Sequence, residues 1–215
     1  MYKLAIDGPA GSGKSTISKI LAKKLGFDHI DTGAMYRAIT LKALRLGINL
    51  ENEAEYTFLK DTVIDLEGEK IYMDGEDVST DIRSIEVTTN ASTPAKLGVV
   101  RTALVDLQRQ IAAKKNVIMD GRDIGSVVLP DANLKIYLDA TPECRAIRRM
   151  KERAEAGVFK SFEETLEEIV VRDRKDSTRA ISPLKVADGA IVIDTSDMTI
   201  DEVVAKIIEL VRQGD

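Results

Sequence analysis

Gly8-Pro9-Ala10-Gly11-Ser12-Gly13-Lys14-Ser15 satisfies every fixed position of the pattern G-x-x-x-x-G-K-[ST]. Each residue type has a physical purpose there. Glycines let backbone N–H groups turn inward and approach an anion closely. The lysine can reach the outer phosphates of a nucleotide, and the hydroxyl after it suits Mg²⁺. The pattern carries meaning only between a strand and a helix. Tyr2-Lys3-Leu4-Ala5-Ile6 reads as a buried strand, and Ile17, Ile20, Leu21 and Leu25 keep helical spacing afterwards. That order aims the positive end of a helix at the bound anion.

The remaining chain fits the same architecture. Val117-Ile118-Met119, Leu134-Lys135-Ile136-Tyr137-Leu138 and Ala190-Ile191-Val192-Ile193 read as buried strands. A helical stretch from Leu97 to Ala113 carries Val100, Leu104, Leu107 and Ile111 on one face. Strands alternating with helices predict an α/β fold: a P-loop NTPase-type parallel sheet with helices on both faces. Thr141-Pro142-Glu143 offers a cap followed by an N1 proline. Ser161-Phe162-Glu163-Glu164 and Thr199-Ile200-Asp201-Glu202 fit the capping box. Two stretches depart from the pattern. Residues 63–78 alternate around Glu67-Gly68-Glu69 and read as an inserted hairpin. Residues 151–183 are polar, rich in arginine and mostly helical. Excursions of this kind from a phosphate-loop core are expected to close over substrates.

Composition excludes several classes. The chain has 215 residues, 44% of them hydrophobic, which suits a single domain over 1–215. A formal net charge of -5 argues against a nucleic-acid partner. The single cysteine, Cys144, precludes an internal disulfide and suits a reducing compartment. No signal peptide and no apolar run of transmembrane length is visible. A soluble, cytoplasmic monomer without membrane contact is expected.

Three further segments carry chemistry. Asp31-Thr32-Gly33-Ala34-Met35-Tyr36-Arg37 follows a short strand near Ile30. Thr32 can cap the next helix, and a helix N-terminus with an arginine makes a second anion site; a plain cap with a surface arginine is the alternative. Asp120-Gly121-Arg122-Asp123-Ile124-Gly125 puts acids at a strand's carboxyl end, where α/β folds place ligand and Mg²⁺ contacts. Arg172-Asp173-Arg174-Lys175-Asp176-Ser177-Thr178-Arg179 is dense in both signs. A solvated helix face is the ordinary reading of such a run, but the charges lack periodic alternation. His29, the one histidine, reads as a strand-end residue. No zinc spacing and no Ser-His-Asp set can be assembled.

Taken together with Asn90-Ala91-Ser92 and Arg101, these motifs resemble the bacterial cytidylate kinases, a family of nucleoside monophosphate kinases. The resemblance runs from Tyr2 nearly to the end and includes the hairpin. It implies ATP-dependent phosphorylation of CMP, and of dCMP, with Mg²⁺ as cofactor. It implies that Gly8 to Thr16 hold ATP and that Lys14, Arg122 and Arg179 are catalytic. It places Thr32, Tyr36, Arg37 and Arg122 around the acceptor nucleotide and its phosphate. Ser92, Arg101 and Asp123 would read the cytosine. Arg172 and Asp176 would lie near the ribose, and Arg179 would close onto the phosphates. Ser15 would meet Mg²⁺, with Asp120 behind it. Residues 32–97 would form the monophosphate-binding region and 151–183 a lid. Members of the family often carry serine where this chain has Thr32, which keeps the hydroxyl.

Rival readings are weaker. Asp65-Leu66-Glu67-Gly68 matches the D-x-x-G of GTPases, but it falls in the hairpin and no N-K-x-D guanine reader accompanies it. Another small-molecule kinase on the same fold lacks a use for a cytosine-reading set. A nucleotide-binding module without catalysis needs neither a second anion site nor a lid.

Overall fold

The computed structural model describes residues 1–155 and 157–214; Ala156, within the expected lid, and Asp215 lie outside the described residues. Five parallel strands form the central sheet. They are β1 (Lys3–Asp7), β2 (Asp28–Asp31), β6 (Val117–Gly121), β7 (Leu134–Asp139) and β8 (Ile191–Asp194), in the order β2-β6-β1-β7-β8. From β1 the chain leads to the β2 side, and from β7 it leads to β8. The crevice between β1 and β7 is therefore a topological switch point, where such sheets bind ligands.

Side-chain alternation along the strands divides the core in two. Leu4, Ile6, Ile118, Ile136 and Leu138 pack under α1 (Lys14–Leu25) and α7 (Ile200–Gln213). Ala5, Val117 and Met119 face the other way, against α2 (Thr32–Arg45) and α4 (Gly98–Ala112). Both expected capping boxes are formed, at Ser161 and Thr199. Thr141 accepts the Cys144 N–H at 3.2 Å and caps α5 (Pro142–Glu155).

Several expectations need correction. The cap of α2 is Asp31, whose carboxylate accepts the Ala34 N–H; Thr32 is the first helical residue, and its hydroxyl donates instead to the Asp120 carbonyl at 2.7 Å. The hairpin β3 (Ile64–Glu67) and β4 (Lys70–Met73) gains a third short strand, β5 (Glu76–Asp77), because the turn at Asp74 and Gly75 folds the chain back once more. The strand β8 is not buried: it is the sheet edge, with Val192 52% exposed. His29 lies within β2 rather than at its end. Leu107 and Ile111 of α4 are only partly buried, and the inner face also uses Val105 and Gln108. The arginine-rich excursion consists of the end of α5 and all of α6 (Phe162–Ser177), which pack on each other. α3 (Ile85–Asn90) leads toward α4.

Candidate active site

A cleft of about 750 Å³ lies across the carboxyl ends of the strands. Its floor is the loop between β1 and α1. Gly8 is forced there by close packing, because a Cβ on it would sit 2.0 Å from the Leu138 carbonyl oxygen at the end of β7. Gly13 takes a left-handed conformation at the head of α1 with φ 86°, which opens the helix toward the cleft. Gly8 and Pro9 lie outside the lining of the cleft, while residues 10–16 face it.

Lys14 is 6% exposed, folded back so that Nζ donates to the Pro9 carbonyl at 2.6 Å and to Ser12 Oγ at 3.3 Å. Burial, and then the charge of Arg122, holds its pKa well below the usual lysine range. Arg172, on α6, is pulled down to about 10 by burial and again by Arg122. Arg122 resists the same burial only because Asp176 accepts from its Nε at 2.9 Å, which raises its pKa. Lys14, Arg122 and Arg172 crowd one cleft, and Asp176 pairs directly with Arg122 among them. Such a cluster suits phosphate, which arginine binds with charge-assisted bonds.

A second anion site stands at the head of α2. Arg37 donates through Nη2 to Asp31 at 3.0 Å, while its Nε is buried without a hydrogen-bond partner. Thr32 and Gly33, at the first turn of α2, line the same space. Tyr36 lines this end of the cleft. Its hydroxyl is also buried and unpartnered, and burial raises its pKa to about 12. The guanidinium of Arg101 lies 5.7 Å from the Tyr36 ring centroid.

Beyond Tyr36 sits a buried charge pair. Asp123 is 5% exposed; one carboxylate oxygen receives Arg101 Nη2 in a very short hydrogen bond, and the other lies 3.4 Å from Arg179 Nη2. Arg101 also donates to the Ala95 carbonyl at 3.3 Å, and Ser92 lines the adjoining wall. The turn that presents Asp123 is strapped down by Asp7, whose two oxygens accept the Ile124 and Gly125 N–H groups, each at 2.8 Å.

All the residues expected on the acceptor side therefore meet in one cleft. Arg172 lies among Arg122, Asp176, Arg149 and Arg37. Arg179 donates through Nε to the Ser182 carbonyl and faces Asp123.

Asp120, expected behind Ser15, accepts Ser15 Oγ at 2.7 Å through one oxygen and engages His29 Nε2 at 2.6 Å through the other. The structure also adds residues that sequence reasoning missed. Arg148 bonds Thr195 Oγ1 at 3.0 Å and, with Met198, forms the far wall of the cleft near Gly13 and Thr16. Arg145 and Asp173 bind the peptide of Ala10. Arg145 and Arg148 precede the arginine-rich segment 151–183, and their partners lie far away in the chain, so local pattern did not mark them.

Comparison with known proteins agrees with this geometry. The profile described as cytidylate kinase matches residues 4–213. The chain belongs to the cytidylate kinase family. It is 53% identical over 213 residues to a cytidylate kinase of Caldanaerobacter subterraneus subsp. tengcongensis, covering 99% of this chain and 95% of that one. It is 49% identical over 213 residues to a cytidylate kinase of Acholeplasma laidlawii, covering 99% and 96%. Among solved structures, a shikimate kinase from Bacteroides thetaiotaomicron superposes with a TM-score of 0.51 at 14% identity, covering 98% of each chain. A gluconokinase from Sinorhizobium meliloti gives 0.51 at 12% identity, covering 99% and 93%. These two share the fold alone. As a family member the protein is a nucleoside monophosphate kinase. Among the described residues, no helix is long and apolar enough to cross a membrane.

Proposed function

We propose that this cytidylate kinase family member transfers the γ-phosphoryl group of ATP to a phosphate oxygen of CMP, with dCMP as a further acceptor and Mg²⁺ as cofactor. It acts as a cytoplasmic monomer, without nucleic acid or membrane. Residues 32–97 hold the acceptor and 151–183 act as the lid. The observation that carries the substrate assignment is the buried carboxylate of Asp123, fixed by Arg101 on the same cleft as the P-loop. Cytosine offers an N4 amino donor to such an acceptor, whereas uracil offers an O4 acceptor.

The chemistry needs alignment and charge more than proton transfer. The second pKa of a phosphate monoester is about 6, so the acceptor oxygen is already largely anionic at neutral pH. No general base is required. Two polyanions must instead be held in line against their repulsion. Lys14 reaches the donor phosphates, and Arg37, Arg122 and Arg172 take the acceptor phosphate. Closure of the α5–α6 segment excludes water that would otherwise take the phosphoryl group.

The site fits Mg²⁺. Ser15 and Asp120 supply hard oxygen atoms 2.7 Å apart. No cluster of three histidine, cysteine or acidic ligands exists among the described residues, so the ion would be carried mainly on nucleotide phosphates. When bound, Mg²⁺ neutralises charge on the phosphates. Ser15 would hold it, and Asp120 would orient Ser15.

Incubating the protein with ATP, Mg²⁺ and each nucleoside monophosphate in turn, and following ADP release, tests the reading. CMP should give the highest kcat/KM. Preference for another acceptor, or turnover of none, overturns it.

A further inference from the structure

Three segments far apart in the chain meet at one residue of the P-loop. Asp173, on α6, accepts the Ala10 N–H through Oδ1 at 3.3 Å. Its other oxygen accepts Arg145 Nη1 at 2.5 Å. The same nitrogen donates to the Ala10 carbonyl at 3.0 Å. Residue 10 is thus gripped at both its N–H and its C=O. Arg145 forms the fixed side of this clip. It is 4% exposed, bonds the Ala140 carbonyl through Nε at 2.9 Å, and lies against Gly11, where a Cβ would be 3.2 Å from the Arg145 carbonyl oxygen. Asp173 forms the side contributed by α6. It rides on the helix that also carries Arg172 and Asp176, which face the acceptor end of the cleft. Asp173 itself does not line the cleft.

We propose that Asp173 is a positioning residue that couples the two substrate sites. When the acceptor nucleotide draws on Arg172 and Asp176, α6 shifts, and the Asp173–Arg145 clip carries that shift to the P-loop through Ala10. This rests on the reading that CMP and the adenine nucleotide occupy opposite ends of the cleft. Such a link is reciprocal: whatever CMP does to adenine-nucleotide affinity, the adenine nucleotide does to CMP affinity.

Isothermal titration calorimetry on the full chain tests it, using ADP alone, CMP alone, and ADP in saturating CMP. In the wild type, CMP should tighten ADP binding by about fivefold or more. In Asp173→Ala that factor should fall to near one while CMP alone still binds. A merely structural role would lower the melting temperature and weaken both ligands without changing the factor, and that result overturns the proposal. So does a wild type without coupling. If Asp173→Ala does not fold, Asp173→Asn, which keeps the volume but loses the ion pair and cannot accept from Arg145 and the Ala10 N–H through separate oxygens, is judged by the same criterion. Failure of the wild type to bind CMP or ADP singly overturns the substrate reading, and the coupling with it.

Discussion

Arg122 Nε donates to Asp176 Oδ2 at 2.9 Å, joining the turn after β6 to the helix α6 across 54 residues of sequence. The carboxylate keeps the buried guanidinium charged; without it, burial would pull the Arg122 pKa down. Asp176→Asn preserves shape and removes that charge. Folding stability should drop by about 1–3 kcal/mol, seen as a lower urea midpoint with an unchanged slope. An unaltered midpoint would mean that the pair contributes nothing.

Lys14→Ala should cut kcat by at least about 100-fold, the range for losing one preorganised electrostatic contact. Stability should hold or rise, because the variant no longer buries an ammonium beside Arg122. Steady-state kinetics and a thermal melt on the same preparation check both halves. A kcat above about a tenth of wild type, a loss of only ~1.4 kcal/mol, would remove Lys14 from the chemistry.

Asp123→Asn separates base reading from arginine clamping. The carboxylate contacts Arg101 and Arg179, so the variant is expected to lose activity overall. If Asp123 also reads the base, the loss falls on CMP, and the preference over UMP, at least about tenfold in the wild type, collapses. The ratio of the two kcat/KM values decides between the roles: an unchanged ratio leaves Asp123 as a clamp only.

Asp7 makes stability depend on pH. Burial, with a contribution from Asp123, raises its pKa from 3.8 to about 6 against the opposing pull of the Ile124 and Gly125 N–H groups and Lys14. The folded state then holds this proton more tightly than the unfolded chain. The contribution of Asp7 is therefore greatest below about pH 4 and is lost as the pH rises through about 6. The loss is on the order of 3 kcal/mol for a shift of this size. Urea unfolding of wild type and Asp7→Asn at pH 4 and pH 7 should show the wild type losing ground to the variant as pH rises; the opposite slope would refute the assignment.

Much of this was readable from local pattern. The P-loop, both capping boxes and the insert are set by neighbours a few residues apart, and they formed where spacing placed them. What escaped depends on which strands become neighbours. His29 meets Asp120 because β2 pairs with β6, 91 residues on. The strand Ile191–Asp194 reads as apolar and therefore buried, yet a strand's place at the edge is a property of the sheet. At the head of α2 two capping residues compete. Asp31 holds the cap position, Thr32 already has helical geometry, and its hydroxyl donates to the Asp120 carbonyl.

The grip on Ala10 has a consequence for variation. Asp173 and Arg145 recognise residue 10 by its peptide groups and ignore its side chain. Selection at this codon should therefore act on the backbone groups and on the room the cleft leaves for a side chain. A library randomised at position 10 should return most small side chains as functional and exclude proline, the one residue without an N–H to give. A position that looks free in an alignment can thus still be held by the protein through both of its backbone polar groups.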